Sequence, residues 1–439
     1  MTTTANSGVS SKQWLVAVYA AVVSFLAYAT IFGFRKTYSV ATFDGMSVAG
    51  IGYKELLVIV QAIGYLSSKF YGIAFIGGLN RSGRWKTIFL LVGISWLAWL
   101  LFALTPAPYN IIFLFMNGFP LGLLWGVIFS YIEGRRATDF IGAALAVSFI
   151  FSSGFVKSVG NYLMVIQDVA EKWMPFVAGA VFVPFLVLFV YLMERIPPPM
   201  AEDIAVRTVR VPMTKLQRLA FVRTFLPGIV LLVLLYAFLT IFREIRDNFI
   251  ANMWQEMGYS NQPELFMQTE VPITLCILIL IGSMIMIRNN YKAFIVSLVF
   301  VMAGFAVAGI STYLFVYHQL APITWVTMVG MGLYMGYIPY NCVLFERLIA
   351  TFRIPANVGF LIYLADSVGY IGSVGVIITK GVFKLNLQWT VFYSNSVMVL
   401  SLIGIAGTAL AIWYFVKKYR REENIKIKTS QMAGSGNQW

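Results

Sequence analysis

The sequence predicts an all-α integral membrane protein whose twelve transmembrane helices form two pseudo-symmetric six-helix bundles. Three observations carry that reading. The first is composition: 59% of the residues are hydrophobic and only 11% charged, whereas an ordinary soluble domain carries about 25% charged residues. The second is that the apolar residues come in continuous runs near 20 residues, the length that crosses a hydrocarbon core of about 30 Å. Barrel strands would alternate instead. The third is an internal repeat. Tyr28, Ala29, Phe34 and Arg35 recur at identical offsets as Tyr236, Ala237, Phe242 and Arg243, close to half the chain later.

Lys12 precedes the first run, 14–34. That run is too long for a signal-peptide core and no small-residue cleavage site follows it, so an uncleaved first span is expected. Its helix is expected to continue through 37–43. Further spans read 54–79, 84–104, 109–132, 140–164 and 173–193. After a hydrophilic stretch come 225–251, 265–287, 291–314, 321–345, 355–379 and 389–416. The expected organisation is therefore an N-terminal bundle (1–194), a cytoplasmic linker (195–224), a C-terminal bundle (225–416) and a disordered cytoplasmic tail (417–439). The linker holds Pro197-Pro198-Pro199 and several arginines, as a tether would. The tail is polar and ends in Gly-Ser-Gly-Asn-Gln-Trp, too poor in apolar residues to build a core.

Lys and Arg in the connections set the orientation. Lys12, Arg81, Arg84, Lys86, Arg135, Arg136, Arg288, Lys292, Arg347 and Arg353 lie on one side, with the basic residues of the linker and tail. The opposite connections carry only Lys54, Lys172, Lys380 and Lys384. Both termini are expected in the cytoplasm, and the net charge of +14 reads as topology, with no nucleic-acid partner expected. Cys276 and Cys342 lie in apolar segments without a CxxC or histidine neighbour, and the single histidine, His318, falls in a polar connection. No metal or cofactor is expected, and no nucleophile–base pair suggests an enzyme.

The charges inside the apolar runs are the candidate functional residues, since each costs about 2.5–3.5 kcal/mol at a helix centre. Arg35 shares a helical face with Tyr28, Phe32, Tyr38, Ser39 and Thr42, a mixture suited to a wet cavity. Arg243 shares one with Tyr236, Thr240, Arg246 and Asp247; Asp247, at i+4, is expected to pair with it. Lys69 and Asp366 are each central in their spans, isolated opposite charges at similar depth that each need a partner. Lys36 stands at a span's end and Lys157 at depth in the fifth span. Tyr334, Tyr337 and Asn341 share a face of the tenth and offer phenols and an amide to an organic ligand. Gly118, Gly122 and Gly126, like Gly332 and Gly336, recur every four residues, a spacing that lets helices approach closely.

Two repeats of six spans with a long middle loop resemble the major facilitator superfamily. So does the loop Gly77-Gly78-Leu79-Asn80-Arg81-Ser82-Gly83-Arg84, which is similar to the G-x-x-x-D-R-x-G-R signature with Asn80 in the acid's place. Arg35-Lys36-Thr37-Tyr38-Ser39, Ser68-Lys69-Phe70, Arg243, and Glu270 before Pro272 resemble the organophosphate:phosphate antiporters of that superfamily. The family's acid after the second arginine falls at Asp247 or Asn248, and Ser152 stands where its members carry a histidine. The resemblance implies a major facilitator fold and the exchange of a phosphorylated metabolite for phosphate; in that fold the spans of Lys69 and Asp366 run side by side, so these two charges are expected to pair. Substrate residues would be Arg35, Arg243, Lys69, Lys36, Tyr38, Tyr334, Tyr337 and Asn341, and coupling or gating residues Asp247, Glu270, Asp366, Lys157 and Arg246. Gly78, Asn80, Arg81, Gly83 and Arg84 would form the signature loop.

A planar guanidinium fork matches phosphate oxygens two at a time. Two arginines, one per half, therefore suit a dianion near the bilayer midplane, where repeat interfaces place transport sites. The expected function is a secondary transporter of a small organic anion, a multi-pass monomer in the inner (cytoplasmic) membrane, with phosphate or protons as counter-ion. The sequence leaves open a membrane sensor of a phosphorylated metabolite and a proton-coupled symporter of a carboxylate or nucleoside.

Overall fold

A helix satisfies its own backbone groups where no water is present to do so, and the described residues are helical almost throughout. The computed structural model describes residues 11–77, 83–132, 138–198, 215–260, 262–352, 358–382 and 388–435. The first half comprises α1 (Ser11–Lys36), a 3₁₀ turn at Thr37–Val40, a short hairpin of β1 (Ser47–Val48) and β2 (Ile51–Gly52), α2 (Tyr53–Gly77), α3 (Arg84–Leu104), α4 (Ile112–Ile132), α5 (Thr138–Val165) and α6 (Met174–Glu194). The second half comprises α7 (Lys215–Glu256), α8 (Glu264–Ile285), α9 (Asn290–Val316), α10 (Pro322–Pro339), a π-helical turn at Tyr340–Leu344, α11 (Phe345–Phe352), α12 (Val358–Val382) and α13 (Trp389–Ser435).

Among the described residues, ten helices are long and apolar enough to cross a membrane. The two other expected spans fall on α2 and α10. The first carries Lys54, Glu55 and Lys69; the second is rich in Gly and Tyr and gives way after Pro339 to the π turn. A proline has no N–H for the helical ladder, which favours such a break.

Packing repeats between the halves. α1 packs on α5 and α6, α2 on α4, and α3 on α4; correspondingly α7 packs on α12 and α13, α8 on α10, and α9 on α10. The halves meet where α5 packs on α8 and α2 on α12, two contacts that exchange under the same pseudo-two-fold relation. Small residues permit the closest approaches. A Cβ on Gly154 of α5 would lie 2.6 Å from the Phe266 carbonyl oxygen of α8, and one on Gly118 of α4 would lie 2.4 Å from that of Gln61 in α2. A Cβ on Gly332 of α10 would lie 2.4 Å from the Gly304 carbonyl oxygen, and one on Gly336 would lie 2.8 Å from the Leu239 side chain.

Three expectations need correction. The first helix stops at Lys36 and does not run through 37–43: the chain turns as 3₁₀ at Thr37–Val40 and is extended at Ala41. Helix already occupies part of the linker, because α7 starts at Lys215 and kinks at Phe225, two residues before Pro227; residues 199–214 lie outside the described ones. The tail is not structureless as far as Ser435, since α13 continues to that residue. Its Lys, Arg and Glu residues are good helix formers, which propensity explains even though composition lacks the means for a core.

Candidate functional site

The end of α1 is held by side chains that take its last carbonyls, groups a helix terminus leaves without partners. Trp99 Nε1 (2.6 Å) and Asn117 Nδ2 (3.0 Å) donate to the Phe34 carbonyl, and Gln61 Nε2 donates to that of Arg35 (2.8 Å). Ser39 Oγ donates to the Lys36 carbonyl (2.7 Å), and Lys54 Nζ to that of Ser39 (2.7 Å). The Arg35 and Lys36 side chains therefore leave a rigid base.

Arg35 and Arg243 are both buried, at 7% and 9% exposure, although they come from opposite halves. The Arg35 guanidinium lies 3.7 Å over the Tyr65 ring and the Arg243 guanidinium 4.5 Å over the Tyr337 ring. Tyr28 and Tyr370 are within electrostatic reach of both. The arginines thus face one tyrosine-lined region between the bundles. Their counter-charges differ. Arg243 Nη2 meets Glu244 Oε1 at 2.7 Å, whereas among the described residues no carboxylate lies within ion-pair distance of Arg35. Arg35 Nε is buried without a hydrogen-bond partner, as is Arg243 Nε.

Lys36 reaches across to α7. Its Nζ lies 3.3 Å from Glu244 Oε2, 3.1 Å from Asp247 Oδ2 and 2.8 Å from Asn248 Oδ1. Lys36 and Glu244 are 208 residues apart, the separation of the two arginines in the repeat. They are therefore equivalent positions carrying opposite charge, in contact across the pseudo-two-fold axis. Asp247 also accepts from Lys157 Nζ and Ser153 Oγ of α5, each at 2.5 Å. The expected Arg243–Asp247 pairing is thus corrected. Asp247 is drawn to two lysines of the other half, while Glu244, the next residue after Arg243, folds back onto it.

Two further pairs lie beside these. Lys69 contacts Asp366, the pairing expected of them, and its ammonium lies against the adjacent rings of Tyr65 (5.0 Å) and Tyr370 (4.7 Å). Tyr236 Oη donates to the other oxygen of Asp366 at 2.5 Å. Arg246 Nη1 meets Glu270 Oε1 at 2.6 Å, and its Nη2 donates to the Val326 carbonyl at 3.3 Å.

The tyrosines divide. Tyr337 underlies Arg243 and stacks on Tyr236 at 5.2 Å. Tyr334 is buried within reach of Arg243, Arg246 and Glu270. Asn341 Oδ1 accepts from Tyr236 Oη at 3.4 Å. Tyr38 does not share the helical face predicted for it. It lies on the 3₁₀ turn and packs on Trp99, ring centroids 5.3 Å apart, inside the first half. Of the signature loop, Gly78, Asn80 and Arg81 fall outside the described residues; Gly83 precedes α3 and Arg84 lies 5.2 Å over the Tyr131 ring.

Polar ties between the halves gather where the odd-numbered connections lie. Lys54 Nζ donates to Asn252 Oδ1 (2.7 Å), Gln255 Nε2 to Asp44 Oδ2 (2.8 Å) and Ser158 Oγ to the Pro263 carbonyl (2.6 Å), and Lys380 meets Glu55 at 3.3 Å. A cleft of about 590 Å³ opens at the same end, its polar lining including Thr42, Asn161, Glu171, Gln255 and Gln262. The sequence reading gave no site role to Glu244, Tyr65, Tyr370, Lys54 or Glu171. A signal did exist for two of them: Glu244 is the repeat mate of Lys36, and Tyr65 precedes Lys69 by one helical turn.

The fold is that of the major facilitator superfamily. The chain superposes on the crystal structure of the human organic anion transporter MFSD10 (TETRAN) with a TM-score of 0.54 at 12% sequence identity, covering 90% of this chain and 98% of that one. No curated protein matches the sequence. A sequence family does: residues 37–418 match a family of unknown function, DUF5690, and the chain belongs to it.

Proposed function

We infer that this protein is a secondary transporter of a small organic anion, working by alternating access between two six-helix halves that together cross the membrane twelve times with both termini in the cytoplasm. The substrate class is a phosphorylated metabolite exchanged for inorganic phosphate, carried by a monomer in the cytoplasmic membrane. One observation carries this reading: guanidinium groups from opposite halves, Arg35 and Arg243, are buried against the same tyrosine-lined region. Burying two such cations is unfavourable unless an anion meets them, and an anion touching one from each half ties its own binding to the halves' approach. The fold neighbour is an organic anion transporter, which is consistent with that chemistry. Arg35, Arg243 and Lys36 would bind the anion; Tyr65, Tyr334, Tyr337 and Asn341 would line its organic part. Lys69–Asp366, Lys157–Asp247 and Arg246–Glu270 would re-form or re-partner as the halves rock.

A second reading, proton-coupled symport of a carboxylate, is favoured by Asp366. That carboxylate is held by Lys69 and Tyr236 and could take a proton if the lysine swung away. Uptake of labelled phosphate and glycerol phosphate into proteoliposomes tests the first reading, with Arg35→Ala and Arg243→Ala as controls. Saturable uptake lost in both variants is expected. Uptake of neutral sugars or carboxylates alone would sink it, and binding without flux would point to a sensor.

A further inference from the structure

We propose that Glu244 is a built-in counter-anion, occupying the position of the substrate's charge whenever the carrier is empty. The inference deepens the preceding reading and rests on it only for the identity of the competing anion. Glu244 does what a bridging ligand would do. One carboxylate oxygen meets Arg243 of the second half at 2.7 Å, and the other meets Lys36 of the first at 3.3 Å. Asn248 Nδ2 donates to the same oxygen at 3.3 Å and to the Glu244 carbonyl at 2.8 Å, so the side chain is steered from its own helix. The repeat sharpens the point: the first half offers Arg-Lys where the second offers Arg-Glu, and the inverted position is the one in contact across the axis.

The consequence follows from charge. Without Glu244, Lys36 would share Asp247 with Lys157, and among the described residues neither arginine would have a carboxylate within ion-pair distance. Like charges in a poorly solvated space repel, and the empty halves would not close on each other. With Glu244 in place the empty carrier closes and returns. An incoming anion takes Arg35, which has no acid partner among the described residues, and displaces Glu244 from Arg243. Transport without a returning anion then accompanies exchange, and Glu244 competes with every substrate.

Closure is read directly by a cysteine pair at Asp44→Cys and Gln255→Cys, positions now joined by a hydrogen bond across the halves. The background is Cys276→Ser and Cys342→Ser. In anion-free buffer, Glu244→Gln is expected to slow disulfide formation about fivefold or more, the lower end of ordinary coupling energies; Glu244→Asp should not. Millimolar phosphate, glycerol phosphate or acetate should restore the rate. Crosslinking of empty Glu244→Gln at the parent rate overturns the proposal. Slowed crosslinking that no anion restores upholds the counter-charge and removes the anion-substrate reading instead. The unmutated carrier supplies a measurement free of any folding defect: net uptake of labelled phosphate into phosphate-free vesicles should proceed alongside exchange. Strictly obligatory exchange there would also overturn it.

Discussion

The pairs Arg35-Lys36 and Arg243-Glu244 occupy equivalent places in the two halves, yet their surroundings differ in kind. Arg243 has a carboxylate beside it in sequence and in space, and a ring beneath it. Arg35 has the Tyr65 ring beneath it and, among the described residues, no carboxylate within ion-pair distance. The first half supplies Lys36, Lys69 and Lys157, and the second supplies the carboxylates that receive them, Glu244, Asp247 and Asp366. A duplicated bundle has thus become one cationic face and one predominantly acid-bearing face, held together by ion pairs that cross the interface. Such pairs suit a moving interface. Their attraction is largely offset by desolvation, so they give the halves register without binding them irreversibly.

The widest contrast should appear in stability. Lys36→Met leaves Glu244 and Asp247 short of a partner and should cost about 3–5 kcal/mol, the usual result of stranding a buried charge. Arg35→Met strands no carboxylate and should leave the melting temperature of detergent-purified protein unchanged or raised. Equal losses in both variants would mean that Arg35 has an acid partner after all.

Anion affinity should rank the other way. Arg35→Ala should weaken phosphate or glycerol phosphate binding by about 2 kcal/mol or more, as for a lost buried charge contact, which is roughly thirtyfold in Kd. Arg243→Ala should cost less, because Glu244 already claims part of that guanidinium. Titration calorimetry on the two variants decides the order. Arg35→Lys should fail to restore affinity, since an ammonium has neither the planar fork nor the stacking face.

Smaller effects should come from the rings. A cation–π contact contributes about 0.5–2 kcal/mol. Tyr65→Leu should lower anion affinity more than Tyr337→Leu, because Tyr65 underlies Arg35, which has no carboxylate within ion-pair distance among the described residues, while Arg243 keeps Glu244. The smallest should be Gln255→Ala, which removes an exposed hydrogen bond to Asp44 worth about 0.5–1.5 kcal/mol. It should speed opening at the odd-connection end, read as faster modification of a cysteine introduced at Thr42, without altering anion affinity.

How legible this was in the sequence depended on range. Lys69 and Asp366 could be matched because depth in a span is a count along one helix, a lone mid-membrane charge demands a partner, and the resembled fold runs those two spans side by side. Asp247 was assigned to Arg243 by the same local count and went instead to Lys36 and Lys157, since helical spacing knows nothing of the opposing bundle. Tyr38 was misplaced for a related reason. The side chains of Trp99, Asn117 and Gln61 bind the last carbonyls of α1, and no pattern within 14–43 announces that the helix ends there.

The sequence by itself determined the membrane-embedded class, the pseudo-symmetric halves and the presence of costly charges within them. Those follow from hydrophobic length, from repetition and from the price of burying an ion, each written along the chain. Which charge meets which was decided only by tertiary structure. Partners such as Lys36 and Glu244 are brought together by the packing of α1, α5, α7 and α8 about a shared axis, and the energy of an ion pair depends on distances that exist only once the two halves have met.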